Sequence, residues 1–236
     1  LNVEPLILIT GASQGIGAAL ALEFVRRLQR PRLALVARSA THLQAVRASL
    51  PASCESACFV ADVADPEQVA AMAAAVQQRF GTPDVLVNNA GFWRGGSAET
   101  MPVAEFSAVV QTNLVGLYAV THAFLPAMIA RGSGDIFNMS STAGLIGLPG
   151  NAAYAAAKHG VTGLSKVLRA ELLDKGIRVC CVHPGPTLSP SWDGTGVPAE
   201  RLMPTEDVAR AFVDIYQLSR NTVVEEIVLR PQRGDI

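Results

Sequence analysis

Short apolar runs alternate along the chain with longer stretches in which apolar and polar positions recur at helical spacing. The runs at 6–10, 32–37, 57–61, 85–88, 135–140, 177–183 and 226–229 are nearly continuous in apolar residues, as strands covered on both faces must be. Between them, 18–29, 40–50, 66–80, 102–131, 152–175 and 205–219 carry helical patterns. Strict strand–helix alternation predicts an α/β fold: a doubly wound parallel sheet of about seven strands with helices on both faces. The stretch 102–131 has a wide apolar stripe, and Pro126 near its end is expected to kink or shorten the helix. No composition shift or repeat divides the chain, so residues 1–236 are expected to form a single domain. The Pro-, Gly- and Ser-rich segment 184–204 reads as a mobile loop over a site.

Composition narrows the function classes. Half of the 236 residues are apolar and the net charge is −1, which gives no electrostatic case for binding nucleic acid or an anionic membrane. No apolar run reads as long enough to span a bilayer, and Leu-Asn-Val-Glu-Pro at the start lacks the regions of a secretory signal. A cytoplasmic location is expected. Cys54, Cys58, Cys180 and Cys181 show no metal-ligand pairing and read as thiols of a reducing compartment. Cys180 and Cys181 are neighbours in a strand and should face opposite sides of the sheet. His42, His122 and His159 likewise lack ligand spacing, so no metal site is expected.

Three features carry chemistry. After the first apolar run comes Thr10-Gly11-Ala12-Ser13-Gln14-Gly15-Ile16-Gly17, opening a helical pattern. Glycines there permit a tight strand-to-helix turn and close approach to a pyrophosphate, which the helix N-terminus would hold. The second feature is Tyr154 and Lys158, four residues apart and so on one helix face. A lysine charge beside a phenol favours phenolate, and Ser141 upstream could hold a substrate oxygen against that phenol. Together these residues read as machinery for moving a proton on or off a carbonyl or alcohol oxygen. The third is Val36-Ala37-Arg38-Ser39 after the second strand. An acid there would accept the ribose hydroxyls of NAD, whereas Arg38, helped by Ser39, would meet the 2′-phosphate of NADP. NADP(H) is therefore expected over NAD(H), although Arg38 as a merely solvated charge would leave the preference open.

The glycine spacing, Asn88-Asn89-Ala90-Gly91 after the fourth strand and the Ser/Tyr/Lys set together resemble the short-chain dehydrogenase/reductase family, from about residue 6 to the C-terminus. The resemblance implies a Rossmann-like fold and hydride transfer to a carbonyl with Tyr154 as general acid, Lys158 supporting it and Ser141 holding the substrate oxygen. Ser141 rather than Ser140 matches the family serine. Asn113 matches the family asparagine that anchors a water bridging to the lysine; holding helix backbone is the alternative role. Gly11, Ser13, Gln14, Gly15, Ile16 and Gly17 would meet the pyrophosphate side, Asp62 and Val63 the adenine, and Asn89, Ala90 and Gly91 the adenosine ribose. Pro184, Gly185, Thr187 and Ser189 resemble the segment that meets the nicotinamide carboxamide. His183 beside it is expected to be structural, having no carboxylate partner evident in the sequence.

Phe92, Trp93 and Arg94, with Leu145, Ile146, Leu188 and Trp192, would form a substrate wall suited to a flat or apolar ligand with an anionic group near Arg94. Plain core and loop packing is the alternative. The C-terminal run ending Gly234-Asp235-Ile236 is similar to tails of bacterial sepiapterin-reductase-like members, in which a carboxylate such as Asp235 would accept a pterin's guanidine-like edge. The resemblance also implies a homodimer or homotetramer assembled through the long helices. A catalytically silent NADP-sensing protein of the same fold is the competing function. Such a protein usually loses the tyrosine or lysine that this chain keeps.

Overall fold

The structure is a computed structural model that describes residues 4–236. The reading of the first residues as no secretory signal rests partly on Leu1, Asn2 and Val3, which lie outside the described residues.

The strands are β1 (Leu6–Thr10), β2 (Arg32–Ala37), β3 (Ser56–Val60), β4 (Val85–Asn88), β5 (Gly134–Met139), β6 (Ile177–Pro184) and β7 (Glu226–Leu229). Each begins and ends within one residue of its expected position. All pair in parallel, in the order β3-β2-β1-β4-β5-β6-β7. The helices are α1 (Gly15–Arg27), α2 (Ala40–Ser49), α3 (Pro66–Phe80), α4 (Val103–Val110), α5 (Gly116–Arg131), α6 (Ala152–Leu172) and α7 (Thr205–Gln217). Alternate side chains of one strand feed two separate cores. Ile7 and Ile9 pack with Leu20 and Phe24 of α1 and Phe212 of α7. Leu6 and Leu8 pack with Val76 of α3, Phe124 of α5 and Leu168 of α6. Cys180 and Cys181 fall in different clusters, as strand alternation requires.

β1 lies between β2 and β4, so chain progression reverses there. Such a switch point leaves a crevice beyond the carboxyl ends of the strands, which is where α/β sheets take their ligands. At the opposite end, buried Asp135 receives Arg178 Nε at 2.5 Å and Arg220 Nη1 at 2.6 Å. Arg178 also donates to the carbonyls of Tyr216, Leu218, Ser219 and Thr222. This network pins the loop after α7 to the sheet.

Two expectations about 102–131 need correction. The stretch is not one regular helix: a π-turn at Gln111–Val115 separates α4 from α5. Pro126 does not end α5, which runs on to a left-handed Gly132 (φ 70°). Pro126 and His122 are both exposed, so water can take the His122 carbonyl that proline cannot bond. The expectation about membranes also fails as stated, because Val103–Arg131, at 29 residues, is long and apolar enough to cross a bilayer. In the fold it instead packs on the sheet through Val120, Phe124 and Met128, with Asn113 and Thr121 also buried.

Candidate active site

The turn after β1 is shaped by close backbone approach. Gly11 has φ +66°, and a Cβ on Gly17 would collide with the Gly11 carbonyl oxygen. Thr10 Oγ1 receives the backbone N–H groups of Asn89 and Ala90, both at 3.0 Å, while Asn89 Nδ2 donates to Thr10 O at 2.9 Å. The β4 motif is thus stitched to the β1 turn. A Cβ at Gly15 would enter the space facing Ser189 (3.4 Å) and Pro190 (3.8 Å). Gln14 does not cap α1 with its side chain, and no acidic residue sits in the first turn. The positive helix end therefore opens, uncompensated, toward a cradle that Gly15 leaves clear, with half-buried Ser13 and Ile16 beside it. These features fit a phosphate-bearing dinucleotide.

At the end of β2, Arg38 is exposed, with Nη1 3.8 Å from Asp62 Oδ2. Ser39 caps α2, accepting the His42 N–H at 3.3 Å, which leaves its own proton free. Asp62 Oδ1 accepts the Ala64 N–H at 2.9 Å, and Val63 is buried beside Gly116. Asp65 caps α3 through the N–H groups of Glu67 and Gln68.

Ser140 and Ser141 diverge as chain alternation demands. Ser140 turns inward, with Oγ 3.1 Å from both Lys158 O and Thr162 Oγ1. Ser141 starts a 3-10 turn (Thr142–Gly144), and its Oγ accepts the Ala143 N–H at 3.2 Å. Its hydroxyl proton is thereby left to donate, and a hydrogen bond links it to the Tyr154 phenol. Tyr154 and Lys158 share one face of α6, with Lys158 Nζ 5.4 Å from the tyrosine ring centre. Lys158 is buried and donates to Met139 O at 2.8 Å.

The electrostatics differ from the sequence expectation. Burial lowers the Lys158 ammonium to about 8. Burial also pushes the Tyr154 phenol above its ordinary value, and the Ser141 hydrogen bond only partly opposes this. Both groups lose solvent together, and desolvation disfavours either charge. The phenol is therefore held as an acid.

Asn113 sits in the π-turn and is buried. Its Nδ2 donates to Phe92 O at 2.9 Å and to Val109 O at 3.0 Å, while its Oδ1 has no partner among the described residues. A Cβ on Gly91 would collide with that Oδ1 and lie 3.6 Å from Lys158 Nζ. Gly91 thus keeps open the space between Asn113 and Lys158. Sequence gave no sign of the π-turn that aims Asn113 here.

Pro184 is buried, Gly185 N–H donates to Leu229 O at 2.7 Å, and Thr187 Oγ1 donates to Gly185 O at 2.9 Å. Ser189 Oγ lies 3.0 Å from Ser191 Oγ. The loop beyond is not structureless: short turns form at Pro190–Trp192 and Ala199–Arg201, and Leu188 N–H bonds to Met203 O.

The expected substrate wall is only partly gathered. Trp93 and Arg94 line a groove of about 520 Å³ with Gly95, Gly96, Thr100, Met101, Pro102 and Glu105. Phe92, Leu145 and Trp192 do not line it. Phe92 and Leu145 are partly exposed after β4 and β5, and Trp192 is half-buried in the loop after β6. Trp93 Nε1 donates to Asn151 Oδ1 at 2.5 Å, a tie the sequence did not suggest. Arg94 is already engaged by Glu105 through two bonds of 2.8 and 3.2 Å, so it offers no unmatched charge to an anion. His183 also departs from expectation. It has a carboxylate neighbour, Glu226 Oε2, 3.5 Å from Nε2, because β7 pairs with β6 across a gap of over forty residues that sequence spacing hides.

The sequence pattern described as "short chain dehydrogenase" matches residues 5–196. The chain is 35% identical over 243 residues to the sepiapterin reductase of Chlorobaculum tepidum, covering 99% of each. It is 38% identical over 200 residues to a 3-oxoacyl-acyl-carrier-protein reductase of Staphylococcus aureus, covering 84% of this chain and 81% of that one. Among solved structures, an actinorhodin polyketide ketoreductase variant with NADPH superposes with a TM-score of 0.89 at 30% identity, covering 99% of this chain and 98% of the other.

Proposed function

The chain belongs to the short-chain dehydrogenase/reductase family of oxidoreductases, and from that premise we propose that it is an NADP(H)-dependent carbonyl reductase. The observation that carries this reading is the convergence of the Ser141 turn, the Tyr154 phenol and Lys158 at the carboxyl ends of β5 and β6. NADPH, when bound, supplies the hydride. Gly15 leaves room for its phosphates at a turn that Gly11 and Gly17 let close against β4, and Arg38 with Ser39 takes the 2′-phosphate. The solved relative with NADPH supports the same preference.

The chain's own residues then handle the oxygen. Ser141 Oγ–H donates to the substrate carbonyl oxygen and fixes it beside the phenol. Tyr154 Oη–H gives its proton to that oxygen as negative charge develops on it. Lys158 stabilises the tyrosinate that remains. Asn113 Oδ1, buried and unpartnered, holds a water that reaches Lys158 across the gap Gly91 keeps open, and this water returns the proton from solvent. Asn113 Nδ2 also satisfies helix backbone, so holding that backbone leaves Oδ1 of the same amide for the water.

Sepiapterin or a related diketone is the substrate this reading favours. Phe92, Trp93, Leu145 and Trp192 stand beyond the adjacent strands β4, β5 and β6 and offer stacking surface. Asp235 lies against Gly185, with Oδ2 held by Arg230 and Oδ1 buried with no partner among the described residues, and Oδ1 would accept the N–H groups of a pterin edge once exposed to it. One catalytic domain with 184–204 as its substrate loop, and a homodimer or homotetramer in the cytoplasm, complete the proposal. Exposed Val103, Phe106, Val115, Tyr118 and Val167 on α4, the π-turn, α5 and α6 are the surface such assembly would cover. NADPH oxidation with sepiapterin, aromatic diketones, acyl-carrier ketoesters and steroids side by side tests the reading. Turnover of sepiapterin above the others is expected, and silence across the whole panel contradicts it.

A further inference from the structure

His183 is completely buried at the end of β6, directly before Pro184-Gly185. Its Nδ1 lies 3.3 Å from the backbone oxygen of Ser141. A carbonyl oxygen only accepts, so this nitrogen carries the proton. The same carbonyl accepts the Gly144 N–H at 2.8 Å, closing the 3-10 turn that presents the Ser141 hydroxyl. On the other side of the ring, Nε2 faces Glu226 Oε2 at 3.5 Å, and Glu226 Oε1 is 3.1 Å from Lys166 Nζ. Among the described residues, Nε2 has no hydrogen bond of ordinary geometry. The ring's shorter polar contact among those residues is therefore the one to the turn carrying Ser141, with the Glu226 carboxylate the other.

We propose that His183 is a positioning residue for the reaction: its Nδ1–H braces the Ser141–Gly144 turn against the start of the Pro184–Ser189 segment. The proposal rests on the reading of Ser141 given above. Ser141 holds the substrate oxygen, and the Pro184–Ser189 segment borders the nicotinamide side. A ring spanning both keeps two walls of the cleft in register. Because misplacement of a reacting group by about 1 Å can cost on the order of 100-fold in rate, bracing a turn is a sufficient role for a residue that touches no reactant.

The test compares His183→Leu, His183→Asn and His183→Gln in the full chain, measuring kcat and KM on the best substrate of the carbonyl panel, NADPH dissociation constant and Tm. Asn carries its N–H at the place of Nδ1, whereas Gln carries it toward Glu226. For Leu and Gln, kcat is expected to fall roughly 10- to 100-fold, with NADPH affinity within a few-fold of the parent. Asn is expected to return kcat to within about fivefold of the parent, even where its Tm is no higher than that of Gln. Should Leu fail to fold, the Asn–Gln contrast still decides. Equal kcat for Asn and Gln, or Gln above Asn, overturns the proposal. Ser141→Ala and the Ser141→Ala/His183→Gln pair separate the two levels of the argument. If His183 acts through Ser141, the second change adds less than about threefold. A Ser141→Ala variant with full activity would remove the reading of Ser141 and this proposal with it. An impaired Ser141→Ala, with the His183 change multiplying its full effect, would remove the bracing role alone.

Discussion

Lys158 and Tyr154 occupy successive turns of α6, with the ammonium nitrogen 5.4 Å from the centre of the phenol ring. Lys158 is buried and Tyr154 half-buried, and loss of solvent drives their proton affinities in opposite directions: the ammonium down to about 8 and the phenol up. The site therefore stores a neutral acid beside a cation that is costly to keep. That combination suits delivery of a proton to an oxygen that is gaining charge, because each later charge finds its counterpart already in place.

One consequence is a pH limit on catalysis. Free enzyme with Lys158 charged predominates below about 8 and is lost above it. The kcat/KM for carbonyl reduction is expected to fall above about pH 8, with a limiting slope of one. Lys158→Met should be slow at every pH and lack that limb. An unchanged limb in the variant would assign it to another group.

Stability should carry the same signature. Lys158 has a native value below the ordinary lysine value, so the unfolded chain binds more protons between about 8 and 10.5. Its contribution is a penalty fully present below about pH 8 and relieved as pH rises through that window, by at most about 3 kcal/mol. The Tm of Lys158→Met relative to the parent should thus be most favourable at pH 7 and lose that advantage by pH 10. A difference independent of pH would contradict the burial argument.

Arg38 stands exposed at the end of β2, with Asp62 as its ion-pair neighbour. A charged hydrogen bond to a 2′-phosphate is worth roughly 1.5–3 kcal/mol. Arg38→Asp should therefore weaken NADPH binding about 10- to 100-fold while leaving NADH binding equal or improved. Titration of both reduced nucleotides by fluorescence checks this, and equal loss for the two would contradict it.

Far from the crevice, Asp135 joins Arg178 and Arg220 at the amino-terminal end of the sheet. Asp135→Ala leaves Arg178 buried without its carboxylate, which should destabilise the fold by about 3 kcal/mol. Residual activity per folded molecule should be unchanged. Chemical denaturation and kcat, measured together, separate this effect from damage to the site.

The architecture was legible because burial on both faces makes each strand apolar and each helix periodic, and β1 and α3 appear at the residues where those patterns begin and end. Side-chain placement was legible where one element carries it, as with Tyr154 and Lys158 on one face of α6. What escaped depends on contacts between elements distant in sequence. The Glu226–His183 approach, the Trp93–Asn151 tie and the Arg94–Glu105 pair each join segments whose meeting follows from tertiary packing. The π-turn at Gln111–Val115 escaped for a different reason: its residues have ordinary helical character, and the bonds of Asn113 to Val109 O and Phe92 O that accompany it leave no mark in the sequence. The direction of the Tyr154 shift was missed because sequence shows a neighbouring charge but not the desolvation that outweighs it.

The most direct measurement is single-turnover oxidation of NADPH by Tyr154→Phe, mixed with the carbonyl substrate, alongside NADPH binding by the same variant. Loss of the transient by at least about 1000-fold, with the dissociation constant within a few-fold of the parent, is the predicted result. A transient of near-parental rate would mean that another group supplies the proton, and would contradict the role given to the Tyr154 phenol.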